Sequence, residues 1–181
     1  WNKAEYGGRD GELTPAAPHL MTSLLRRMRS EAETLQYDVA FEVTHHGPLL
    51  SRPTLFIEIG SDESCWSDRD AAAALARSLL DVEVAQHPVV IGIGGGHYAP
   101  RFSEVALSRR VSFGHMLPAY AMDLTNADSI RHSIAMAMKA SDTTTAYVHK
   151  KSMKRSEASM VSSLVHELGG VTVDSSDLES L

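Results

Sequence analysis

The feature that most constrains this chain is a short apolar run, Val89 to Ile93, that ends in three glycines and a histidine, Gly94-Gly95-Gly96-His97. A strand of Val and Ile without polar alternation is the kind buried on both faces, which implies a parallel sheet with helices on either side. The glycines take every Cβ out of the turn, so its backbone amides can approach a substrate closely. The rest of the pattern agrees. Leu20, Leu24 and Met28 recur at helical spacing after Thr14-Pro15, which reads as an N-cap and a first helical residue. An Ala-rich helix is predicted over 68–80, opened by Ser67 and Asp70. A short helix over 103–109 follows, and Ile130, Ile134 and Met138 mark another. Met160, Leu164 and Leu168 mark the last, stopped by Gly169-Gly170. Two-residue alternation predicts strands over 38–44 and 54–59, with further strands over 145–149 and 171–173. The expected fold class is α/β, a mixed, mostly parallel sheet with helices on both faces. It is expected as a single catalytic domain over 1–181 with a loose acidic tail over 174–181.

Composition narrows the chemistry. A single cysteine, Cys65, excludes an internal disulfide and a thiolate zinc site. Nine histidines point instead to acid–base or metal work. The formal net charge is -6, so a polyanionic partner requires a local basic patch. No apolar run is long enough to span a bilayer and no secretory signal is visible, so no membrane partner and a cytoplasmic location are expected. The chain opens on Trp1, not Met, and reads as part of a longer one.

Three segments concentrate titratable groups where apolar runs end: THHGP at 44–48, FIEIGS at 56–61 and GIGGGHYAP at 92–100. In open α/β sheets, ligands bind outside the strand carboxyl ends. His45, His46, Glu58, His97 and Tyr98 are therefore the catalytic candidates, expected to converge in one pocket. Gly94, Gly95 and Gly96 are candidates for holding a phosphate or a developing oxyanion. The dinucleotide and phosphate-loop patterns both fail here, since His97 stands where a glycine is needed and no Lys-Ser or Lys-Thr follows. His45 and His46 point to opposite faces in extended backbone, so one metal ion is not expected to take both. Glu58, inside an apolar strand, is expected to be buried and paired, protonated or metal-bound. Lys150, Lys151, Lys154 and Arg155 form the densest basic run, where phosphate contacts would gather, and Arg109 and Arg110 extend it.

These motifs, in this order, resemble the archaeal and plant D-aminoacyl-tRNA deacylase family. The resemblance rests on THHGP, FIEIGS followed by Trp66, GIGGGHYAP with Arg101-Phe102, and Gly114-His115 with Pro118. The opening Trp1-Asn2 and Gly7-Gly8 add to it, and it covers roughly 1–155. The family carries a further N-terminal stretch that is not in this sequence. It also has an acidic residue and a Lys-Gly pair near 149–152, where this chain has His149, Lys151 and Ser152. The resemblance implies a fold similar to peptidyl-tRNA hydrolases and nucleoside phosphorylases. It implies hydrolysis of the ester of D-aminoacyl-tRNA, with tRNA as partner and Zn2+ as cofactor. His45, His97 and His115 are the candidate ligands for that ion, with Glu58 in reserve. The alternatives are another α/β hydrolase or phosphorylase, such as a peptidyl-tRNA hydrolase, and a non-catalytic tRNA-binding module.

Overall fold

The computed structural model describes residues 5–60 and 62–181; Trp1, Asn2 and Ser61 lie outside the described residues. Four strands form one sheet: β1 (Val89–Ile93), β2 (Ser112–Leu117), β3 (Thr145–Val148) and β4 (Val171–Val173), in the spatial order β2-β1-β3-β4. Every pairing is parallel, so the expected mixed sheet is wholly parallel among its described strands.

Helices cover both faces, and the alternation of side chains along β1 shows why. Ile91 and Ile93 face one layer, built from α4 (Ala127–Ala140) and α5 (Arg155–Glu167) through Ile130, Ile134, Val161 and Val165. Val90 faces the other, where α1 (Pro18–Glu31) and α3 (Pro100–Ser108) bring Leu25, Phe102 and Val105 against Phe113 and Tyr147. Gly92 is required in this second layer, because a Cβ there would stand 2.7 Å from the Phe102 ring. α2 (Arg69–Leu80) packs on α1.

Several sequence expectations shift. α1 begins at Pro18 and not at Pro15, because Thr14 is used elsewhere: its hydroxyl donates to Pro48 O (2.8 Å) and accepts from Leu50 N (3.0 Å). α2 is capped by Asp68, whose carboxylate accepts from the amides of Asp70 and Ala71. Residues 38–44 and 54–59 form no strand and join no ladder. The alternation over 38–44 is real, with Phe41 and Val43 buried, but the partners are not strands. Phe41 N donates to Ser103 Oγ (2.8 Å), and Val43 N donates to His97 O (3.0 Å). The segment thus lies against α3 and the glycine turn rather than beside a strand.

The tail over 174–181 was expected to be loose. Instead it is hydrogen-bonded to the loop after α3, with Arg110 N donating to Glu179 O (2.8 Å) and Leu181 N to Ser108 O (3.2 Å). Leu178 packs on the core beneath it. Nearby, Arg26 of α1 donates to the carbonyls of Ala106, Arg109 and Val111, satisfying groups that the end of α3 leaves open. No helix among the described residues is long and apolar enough to cross a membrane.

Candidate active site

The chain leaves β1 for β2 on one side through α3, then crosses to β3 on the other side through α4. The carboxyl end of β1 is therefore the point where the winding reverses, and a crevice opens there. Gly94 holds a φ of +103°, and a Cβ on it would meet Ser152 Oγ at 2.5 Å. This turn swings the chain out of the sheet and delivers His97 to the rim. The Val43–His97 backbone bond then brings the 42–46 segment alongside.

The result is a histidine–carboxylate cluster. The ring centroids of His45 and His97 are 4.7 Å apart, and those of His45 and His46 are 4.5 Å apart. His97 Nε2 contacts Glu42 Oε1, and its Nδ1 lies 3.2 Å from the Tyr120 hydroxyl. Facing a carboxylate, Nε2 carries the proton, so Nδ1 accepts from Tyr120. His45 Nδ1 donates to Val43 O (2.9 Å), which turns its bare Nε2 toward the cleft. His46 Nδ1 donates to Gly47 O (2.5 Å).

Glu58 reaches the same cleft, but from an exposed position rather than the buried one expected. Its pKa is raised by partial desolvation and by a hydrogen bond to the Glu42 carboxyl, while His45 and His46 pull it back. Tyr98 stands edge-on to His97 at 5.0 Å and is exposed. Four of the five predicted catalytic candidates, His45, His46, Glu58 and His97, thus line one opening, and Tyr98 stands beside it against His97.

His115 is not. It is 9% exposed, its Nε2 donates to Thr14 O (2.8 Å) and its Nδ1 accepts from Thr44 Oγ1 (3.0 Å). Both ring nitrogens are used inside the protein, and burial pushes its pKa down, so it stays neutral as a structural histidine. The expectation that His115 ligates a metal ion is corrected on this ground. The structure puts Glu42 in its place: one ligand atom each from Glu42, His45 and His97 lie within 4.8 Å of one another. Two imidazoles and a carboxylate suit Zn2+. The bond from His45 Nδ1 to a carbonyl is the support that a metal-ligating histidine normally has. Sequence reading passed over Glu42 because it sits in an apolar alternation. The available signal was its place on the wet face, two residues before the THHGP motif.

The glycine turn is more committed than expected. Gly94 N donates to Leu117 O (2.8 Å) and Gly95 N to Ser152 Oγ (2.8 Å). The Gly96 amide makes no such bond among the described residues, which leaves it as the turn's available donor. Lys150 and Lys151 stand on a 3-10 turn, Lys150–Ser152, at the carboxyl end of β3, and Ser152 ties that turn to the glycines. Lys154 and Arg155 follow at the start of α5, all four exposed. Beside them His149 Nδ1 is buried without a hydrogen-bond partner, and burial holds its pKa down. Arg109 and Arg110 do not extend this track. α3 carries them to the amino end of the strands, opposite the lysines, where Arg109 holds Ser180 Oγ (2.6 Å) and Arg110 pairs with Glu179.

The fold and cleft define a doubly wound parallel α/β protein with a histidine–carboxylate site at the strand carboxyl ends. The D-aminoacyl-tRNA deacylase family model matches residues 1–173, and the chain belongs to that family. The chain is 40% identical over 179 residues to a D-aminoacyl-tRNA deacylase of Methanococcoides burtonii, covering 98% of this chain and 36% of that protein. It is 37% identical over 172 residues to one of Pyrococcus furiosus, covering 93% of this chain and 62% of that one. The chain thus spans between about a third and two thirds of the length of these curated relatives. A crystal structure of a conserved protein of unknown function superposes with a TM-score of 0.84 at 30% identity, over 99% of this chain and 64% of that one.

Proposed function

We propose that this chain carries the catalytic centre for hydrolysis of the ester joining a D-amino acid to tRNA. Family membership supports the substrate class, and the convergence of Glu42, Glu58, His45 and His97 in one cleft supports the chemistry. Ester hydrolysis needs a water stripped of a proton and a donor for the carbonyl oxygen. Glu58, its pKa raised beside Glu42, can accept a proton from water. Glu42 and Tyr120 engage both ring nitrogens of His97, and the Gly96 amide, which has no partner within the described residues, is the proposed donor to the oxyanion. Glu42, His45 and His97 are the residues that would hold a zinc ion: His97 would give up its contact with Glu42 to do so, which its open position in the cleft allows and the burial of His115 does not. Bound there, zinc would polarise the ester and lower the pKa of a bound water. Lys150, Lys151, Lys154 and Arg155 are proposed to meet acceptor-end phosphates, which lets an acidic chain hold a polyanion locally. The cytoplasm, where charged tRNA is used, is the proposed location.

The direct test is turnover of D- against L-aminoacyl-tRNA by the full-length protein, and of both against a free nucleoside. Selective release of the D-amino acid is the expected result. Cleavage of the nucleoside, or binding of tRNA without turnover, would reject the reading.

A further inference from the structure

Eleven aromatic residues are few for a chain of this length, so where they are exposed carries information. Five of those in the described residues are exposed: Tyr6, Phe56, Trp66, Tyr98 and Tyr120. Three of the five, Tyr6, Phe56 and Tyr120, line the cleft, and Tyr98 stands beside it against His97. Tyr6 and Phe56 flank His46, with ring centroids 5.3 Å and 5.1 Å from it, both edge-on. Tyr98 and Tyr120 flank His97. Phe56 is 60% exposed and has no polar atom to gain from water, so its exposure is a cost that folding does not recover.

We infer that this rim is a stacking platform for the unpaired bases at the 3′ end of the nucleic acid. Phe56, with Tyr6 beside it, takes the base next to the reacting ester, and Tyr98 takes the base before it. The inference rests on the proposed function, since it assumes an ester on a single-stranded end. Two independent features select this occupant. Exposed aromatic faces next to a basic track are the combination by which proteins hold single strands, the aromatics for bases and the cations for phosphates. The track is present here, because the Lys150–Ser152 turn is tied through Ser152 to the glycine turn that ends in His97. An amino-acid side chain would use aromatic faces but has no use for four cations. Phe56 and Tyr6 are also spare to the fold, as neither belongs to a core cluster.

The probe is the trinucleotide CpCpA against the same trinucleotide with its last base removed, with binding to the full-length protein measured by calorimetry at fixed salt. This needs no turnover. Failure of the deacylase reading would show as absent hydrolysis, and failure of the platform as absent base discrimination. The wild-type protein should bind CpCpA about tenfold tighter than the abasic form. The double variant Phe56→Ala/Tyr6→Ala should bring that ratio close to one, and Phe56→Trp should keep it. Equal affinity of the wild type for both probes overturns the inference, as does a ratio that survives the double variant. The wild-type comparison holds whether or not a variant folds.

Discussion

Glu58 and Glu42 come from two separate segments, and their carboxyls are neighbours at the rim of the cleft. Partial desolvation raises the Glu58 pKa, and the neighbouring Glu42 carboxyl, which disfavours a second negative charge, raises it further. Glu42 is also bound to His97, so the two carboxyls sit one step from the imidazole. A pair of this kind accepts a proton from water more readily than two separate, fully solvated acids would.

Glu42→Gln is therefore expected to lower kcat for D-aminoacyl-tRNA by about 100-fold or more, the usual loss for a positioned acid–base group. Glu58→Gln should cost less, since an amide can still donate to Glu42. Single-turnover hydrolysis measures both. An unaltered rate in Glu42→Gln would remove the cleft from the chemistry.

Metal retention separates two sets of histidines. Zinc binding, followed by calorimetry and by elemental analysis after desalting, should fall at least tenfold in His45→Ala and in His97→Ala. His115→Gln should retain it, because both ring nitrogens of His115 are already used by Thr14 and Thr44.

Acid stability gives a second reading of His115. Burial lowers its pKa, so the folded state disfavours the proton that the unfolded state takes up near pH 6.5. The unfolded chain then binds more protons below that pH, and stability must fall as pH drops from about 6.5. It should be flat above that value as far as this group is concerned. His87 and His149 shift the same way and add to the slope. Melting temperatures between pH 8 and pH 5 should show the decline, and His115→Gln should shallow it. The same variant should cost about 2 kcal/mol at pH 8, because it disturbs two buried hydrogen bonds.

The basic track makes a salt-dependent claim. Lys151→Ala/Lys154→Ala should weaken tRNA binding and reduce the slope of log K against log salt by roughly 1.5 units, two phosphate contacts' worth. Hydrolysis of an aminoacyl-nucleoside ester, which lacks those phosphates, is the comparison. An equal loss on both substrates would move these lysines from the track to the chemistry or the fold. Arg109→Ala should leave tRNA binding unchanged, since Arg109 is at the amino end of the strands, holding the tail.

What the sequence determined was local. The Val89–Ile93 run dictated a doubly covered parallel strand, because only a strand buried on both faces tolerates that composition. The glycine turn and the THHGP motif marked where polar groups leave apolar backbone, and that was enough to name His45, His46, Glu58, His97 and Tyr98 as neighbours. The alternation over 38–44 correctly sorted Phe41 and Val43 inward. Alternation reports which side chains are buried, though, and says nothing of what the backbone amides find. Tertiary structure decided that they meet Ser103 and His97 rather than a strand, and this places Glu42 on His97. The same limit explains His115. Its motif was legible, but its role was set by Thr14, 101 residues away, whose carbonyl fills the ring nitrogen a metal ion would have needed. Sequence spacing carries the period of an element; the partner of each polar atom is fixed only when distant segments pack and every buried donor must find an acceptor.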